Sequence, residues 1–178
     1  MKNKPVVYLD SCCFIDAVKH SVGRLPVDRT DDVWHIKKLL EAHQAGDIAV
    51  ITSFLSIAEC VAVESGQDDV PQDVQESFRR LLTSGQYLTL APSTPRTARL
   101  VQELRWREKI VLKGADALHI ATAIERGAQE FISTDDRLRR PKMVDVASKL
   151  TMKGVRFIRA ADTRLVPDRL LQGDMVNA

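Results

Sequence analysis

Four acidic residues sit where a strand or an apolar helix would deliver them. Asp10 follows the apolar, β-branched run 6–9. Glu59 lies between Ala58 and Cys60 inside the apolar stretch 54–63. Asp116 opens a helical pattern after Gly114-Ala115. Asp135, with Asp136 beside it, follows the apolar run 131–133. An Asp at an element boundary is commonly a helix cap or turn-maker, and that reading is open for Asp10, Asp116 and Asp135 taken singly. Glu59 is different, because a Glu in an apolar stretch destabilises the fold unless it is exposed or paired. As a group the acids raise an electrostatic problem. Two carboxylates about 4 Å apart repel by roughly 4 kcal/mol at an effective dielectric near 20. Three or four converging carboxylates therefore need protonation or a bound cation. All-oxygen donors suit Mg²⁺ or Mn²⁺, hard ions that keep waters and face phosphates. One or two such ions activate water and neutralise a phosphodiester, which implies a metal-dependent nuclease or phosphatase as a reaction class.

The surrounding elements would place these acids on one edge of a sheet. Runs 6–9, 48–52, 87–91 and 131–133 read as strands, with 155–158 as a fifth. Segment 12–19 reads as a short helix and 20–30 as a loop. A helix runs from Asp31 or Asp32, with Val33, Ile36, Leu39 and Leu40 inward and Gly46 past its end. Ser53 reads as the cap of a helix whose inner face is Phe54, Ile57, Ala58 and Val61. Segment 64–71 is a polar loop. Helix 72–82 turns Val74, Phe78, Leu81 and Leu82 inward. Thr94-Pro95 opens a helix with Ala98, Val101 and Leu104 inside. Helix 116–126 ends at Gly127. A short helix is expected near 168–172. Strands alternating with helices argue for an α/β fold with a mostly parallel central sheet of about five strands. Residues 1–160 are read as one domain, with 161–178 as its C-terminal extension. In such sheets ligands gather at the carboxyl ends of the strands, where Asp10, Glu59 and Asp135 emerge.

Composition narrows the class. The 178 residues suit one domain, and 44% hydrophobic with 28% charged residues excludes collagen-like, disulfide-framework and disordered chains. Lys plus Arg is 26 and Asp plus Glu is 24, so the total charge shows no nucleic-acid footprint, although a local patch can still bind. Aromatic residues at 5% disfavour recognition by base stacking. No apolar run approaches a membrane span, so no membrane partner is expected. Three cysteines, Cys12, Cys13 and Cys60, with no secretory pattern ahead of them, suggest reduced thiols and a cytoplasmic protein.

Four segments, in order, resemble the motifs of PIN-domain ribonucleases, including VapC-type toxins. They are Val7-Tyr8-Leu9-Asp10-Ser11-Cys12-Cys13-Phe14-Ile15-Asp16, Ser53-Phe54-Leu55-Ser56-Ile57-Ala58-Glu59, Gly114-Ala115-Asp116-Ala117-Leu118-His119-Ile120-Ala121 and Phe131-Ile132-Ser133-Thr134-Asp135-Asp136-Arg137-Leu138. The resemblance covers about 6–138 and implies a PIN-like fold. It implies Asp10, Glu59, Asp116 and Asp135 as catalytic, metal-holding acids for Mg²⁺ or Mn²⁺. Behind them stand Ser11, Asp16, Ser133 and Asp136, with Asp136 competing with Asp135 for the fourth position. Ser133 would orient carboxylates or water. It further implies hydrolysis of RNA, a homodimer and a small antitoxin that blocks the acidic site. Cys12 departs from the pattern by standing where the family usually has Asn, and a thiol is a poorer donor.

The remaining candidates are weaker. The basic run Arg137, Arg139, Arg140 and Lys142 follows the fourth acid and would hold RNA phosphates, or else forms a solvated face. Arg105, Arg107 and Lys113 are lesser candidates for that role. His119 shares a helix face with Asp116 and reads as a core-packing residue. The cysteines lack metal-ligand spacing and read as buried thiols. Two other classes fit part of the pattern. One is an inactive RNA-binding or scaffold domain. The other is a phosphoacceptor receiver domain, which would need paired acids after the first strand and a late Lys.

Overall fold

A computed structural model describes residues 4–64, 66–112, 114–135 and 141–172, the side chains of 141 and 142 excepted. Five strands form one all-parallel sheet: β1 (Val6–Leu9), β2 (Ala49–Ser53), β3 (Thr89–Ala91), β4 (Glu130–Ile132) and β5 (Arg156–Ile158). Their order is β3-β2-β1-β4-β5. Tyr8 registers with Ile51 on one side and with Phe131 on the other. The chain builds outward from β1 in one direction and then returns to build in the other. Order reverses between β1 and β4, and in open parallel sheets that switch point opens a crevice at the carboxyl ends.

Side-chain alternation along the strands builds a core on each face of the sheet. Val7, Leu9, Val50 and Ile132 point to one side, where α1 (Ser11–Ser21), α2 (Thr30–Gln44) and α4 (Gln72–Thr83) pack with Phe14, Val18, Ile36, Leu39, Val74 and Phe78. Tyr8, Ile51 and Phe131 point to the other. There α5 (Pro95–Trp106), α6 (Gly114–Glu125) and α7 (Pro141–Met152) supply Leu104, Ile120, Ala121, Val146 and Leu150. The Tyr8 and Phe131 rings stack with centroids 5.0 Å apart. The expected α/β fold with five strands is therefore observed.

Local signals explain most element ends. Thr94 caps α5 and forms a reciprocal box with Thr97, whose N–H it accepts. Gly127 closes α6 at φ +68°, with Ala128 N–H returning to Ala123 and Gly127 N–H to Ile124. The short α8 (Asp168–Gln172) places Leu170 and Leu171 on the α1/α2 core, and Val166 is buried there too.

Three expectations need correction. The helix after β2 is only α3 (Leu55–Glu59), and Phe54, Ile57 and Val61 are exposed rather than inward. Ser53 Oγ does accept the Leu55 N–H at 3.2 Å, but the helix stops at Cys60, whose φ, ψ of −86°, 62° are not helical. On α5 the inner position belongs to Thr97 rather than to Ala98, which is exposed, because the capping box turns the Thr97 side chain inward. Helix α7 was not anticipated, although Pro141 opens it and Met143, Val146 and Leu150 pack at helical spacing.

Candidate active site

Strand β1 ends where Asp10 begins, and the Asp10 N–H continues the ladder by bonding Ile132 O at 2.9 Å. That bond sets Asp10 beside the segment leaving β4. Asp10 also caps α1, its Oδ1 accepting the Ser11 N–H at 2.9 Å. Its other oxygen accepts from Ser133 Oγ at 2.9 Å. Burial pushes the Asp10 carboxyl above its ordinary range, with the hydrogen bonds from Ser133, Ser11 and Cys12 acting against that rise. A carboxylate so placed favours a nearby cation.

Asp10, Asp116 and Asp135 line one small cleft of about 70 Å³, together with Ser133 and the apolar side chains of Leu112 and Ile120. Asp116 comes from the first turn of α6, and Asp135 from the loop after β4. Three elements thus bring three carboxylates to the crevice between β1 and β4. Ser133 is fully buried and also accepts the Asp135 N–H at 3.3 Å, so one hydroxyl ties two of the acids together. Among the described residues, no three His, Cys, Asp or Glu side chains close on a common point in the manner of a formed metal site. The donor set is nevertheless all oxygen and partly desolvated, which fits a hard divalent ion.

Glu59 lies outside that lining. It ends α3 and turns toward the protein, where Oε2 accepts from Ser11 Oγ and from His119 Nε2, the latter at 2.7 Å. Asp10 and Glu59 are therefore neighbours through Ser11, which serves one with its backbone and the other with its hydroxyl. His119 is buried, as expected of a core residue, yet it also reaches the acidic set.

Cys12 takes part in the same corner. Its Sγ lies 2.9 Å from Ser133 Oγ and accepts the Thr134 N–H at 3.3 Å. The Cys12 S–H donates to Asp10 Oδ2 at 3.5 Å, the same oxygen that accepts from Ser133 Oγ. The thiols of Cys13 and Cys60 are pushed up by burial and stay protonated.

Asp16 faces away from the cleft. It is buried, accepts from Thr134 Oγ1 at 2.5 Å and pairs with Arg29 at 3.1 Å. Thr134, Arg29 and Tyr8 were not singled out from sequence. For Tyr8 a signal existed, since a Tyr in a fully buried strand must find a partner for its hydroxyl. Asp136, Arg137, Arg139 and Arg140 lie outside the described residues, as do Lys113 and the Lys142 side chain.

Fold and cleft together define an α/β domain with an acidic crevice at the switch point of a five-stranded parallel sheet. The PIN domain family profile matches residues 7–143, most of the chain, and the chain belongs to the PIN domain family. A solved structure of VapBC2 from Rickettsia felis, bound to a DNA fragment from its promoter, is similar in fold. The match has a TM-score of 0.54 at 14% identity, over 86% of this chain and 98% of that one. No curated protein matches the chain in sequence. Among the described residues, no helix is long and apolar enough to cross a membrane.

Proposed function

We propose that this protein is a Mg²⁺- or Mn²⁺-dependent endoribonuclease, the toxin of a toxin–antitoxin pair. The observation that carries the reading is the placing of Asp10, Asp116 and Asp135 on one cleft at the switch point. These three would hold the ion, with Glu59 beside Asp10 as the fourth acid. A bound divalent ion supplies charge neutralisation at the phosphodiester and activation of water. The chain's own residues do the rest. Ser133 fixes Asp10 and the Asp135 backbone, and Ser11 fixes Glu59. The basic run at Arg137, Arg139, Arg140 and Lys142 would hold RNA phosphates beside the acids.

The antitoxin is supported by likeness of fold to a VapBC2 complex. Exposed Phe54, Ile57 and Val61, on either side of Glu59 in the chain, are the kind of apolar surface a protein partner or a second copy in a homodimer covers. A second reading, an inactive RNA-binding or scaffold domain, is favoured by the acids' failure to close on a common point among the described residues.

Cleavage of RNA by wild type and Asp116→Asn in the presence of Mn²⁺ separates the two. Asp116 has no hydrogen bond or ion pair among the described residues, so its loss moves stability by less than about 1 kcal/mol. Cleavage is expected to fall by more than about 100-fold, beyond what loss of a supporting residue does. Full activity in Asp116→Asn would remove this site from the mechanism.

A further inference from the structure

One buried chain of groups ends on Glu59 and is not explained by packing. Tyr8 and His119 are essentially inaccessible to solvent. The Tyr8 oxygen accepts the Ser53 N–H at 3.0 Å. Its own hydrogen is then available to His119 Nδ1, which lies 2.6 Å away. A ring nitrogen that accepts carries no proton, so the neutral imidazole must carry its proton on Nε2. That nitrogen is 2.7 Å from Glu59 Oε2. Because a carboxylate oxygen only accepts, a neutral ring gives Nε2–H to Glu59 and takes the Tyr8 O–H on Nδ1, while Tyr8 accepts the Ser53 N–H.

The far end of this chain is selective. His119 and Ser11 both address Oε2 of Glu59. Among the described residues no hydrogen bond falls on Oε1. Two donors on one oxygen fix the carboxylate plane while leaving the second oxygen for an external ligand. Carboxylates that hold metals are oriented in this way by hydrogen bonds behind them, and loss of such a partner typically weakens metal affinity by about 10- to 100-fold.

We propose that His119, locked by Tyr8 as the Nε2–H tautomer, is a positioning residue that turns Oε1 of Glu59 toward a divalent cation held with Asp10. The inference rests on the metal-dependent reading above and adds a residue to it. It also gives the helix carrying Asp116 a second duty, since His119 lies one turn further along α6.

The test is Mn²⁺ titration calorimetry on the folded full chain for wild type, His119→Leu, His119→Gln and Tyr8→Phe, with cleavage measured alongside. The expected result is a Kd about 10- to 100-fold weaker in His119→Leu. Gln presents an N–H near the Nε2 position, so His119→Gln should return Kd to within about threefold of wild type. A merely structural role would lower thermal stability in both variants without separating their Kd values. Nitrogen NMR of the imidazole should show the Nε2–H tautomer in wild type and a mixture in Tyr8→Phe. Equal Mn²⁺ affinity in wild type and His119→Leu, or an Nδ1–H tautomer in wild type, overturns the inference alone. A wild type that binds no Mn²⁺ overturns it together with the metal reading. A wild type that binds Mn²⁺ but cuts no RNA overturns the ribonuclease reading and leaves the Kd comparison to decide.

Discussion

Two sets of carboxylates lie within this small domain, and they are served in opposite ways. Outside the cleft lining, Asp16, Asp32 and Glu130 are nearly inaccessible, and each meets an arginine. Asp32 takes two nitrogens of Arg159 and the Ala161 N–H at 3.1 Å. Glu130 takes Arg156 at 2.9 Å and the Thr163 hydroxyl at 2.6 Å. Asp16 takes Arg29 and Thr134. At the carboxyl edge, among the described residues, Asp10 is served by a backbone N–H, a hydroxyl and a thiol, and Asp116 by nothing. Burial alone does not distinguish structure from function here. The distinction is the presence of a fixed cation. A carboxylate given an arginine is spent on the fold, whereas Asp10 and Asp116 meet no arginine among the described residues, which suits acids proposed to hold an ion.

The sharpest way to break that contrast is to remove a clamp. Asp32→Ala takes the acceptor from Arg159 and from the Ala161 backbone, which joins α2 to the segment after β5. The expected loss is about 3 kcal/mol, read by urea unfolding, with Mn²⁺ affinity of the folded fraction unchanged. A comparable loss on replacing Asp116 would erase the difference between the two sets.

How much of this was legible from sequence depends on the range of the forces involved. Strands β1, β2 and β4 and the acids that leave them are local features, because a buried parallel strand is a short apolar run and its last residue is visible in the chain. The α8 segment at 168–172 was legible for the same reason. Asp16 as a clamp was not. Its partners Arg29 and Thr134 come from 13 and 118 residues away, and nothing near it in the chain marks a cation. The exposed face of α3 misled for a related cause. Phe54, Ile57 and Val61 keep helical spacing, but spacing cannot say whether another element arrives to cover them. Helix α7 was readable from Pro141 and the Met143, Val146, Leu150 stripe, and was passed over beside the basic run that precedes it. Cys12 departs from the resembled motif as a poorer donor than the usual Asn. The thiol accepts the Thr134 N–H and donates to Asp10, so that corner is still bonded, by a different donor.

The two sets meet at one residue, which sharpens the comparison at intermediate size. Thr134 gives its hydroxyl to Asp16 in the clamp, while its backbone runs between Ser133 and Asp135 in the cleft. Thr134→Val keeps the shape and removes the donor. The expected cost is about 1.5 kcal/mol, the usual worth of a hydrogen bond to a charged acceptor. Cleavage should fall only about threefold, through loosening of the loop that carries Asp135. A loss of cleavage as deep as that expected of Asp116→Asn would mean that the clamp is part of the chemistry.

The smallest expected effect lies in pH, and it tests whether the cleft contributes to stability at neutral pH. His43, at the end of α2, accepts the Val50 N–H at 3.1 Å. Burial, with help from Lys4, holds its imidazole below the ordinary 6.5. The unfolded chain therefore takes up a proton before the folded one does. Its contribution is complete above about pH 7 and is lost as pH falls through 6.5, because the unfolded state binds more protons there. The ring is partly exposed, so solvent damps the effect. His43→Asn keeps an acceptor for Val50 and cannot titrate, so unfolding free energy measured from pH 7.5 to 5.5 should fall less steeply than in wild type. Asp116→Asn should keep the wild-type slope, since His43 belongs to the opposite layer from α6. If Asp116→Asn flattened the slope instead, the cleft carboxylates would be coupled to the folded state's proton balance, and their charge would not be held in reserve.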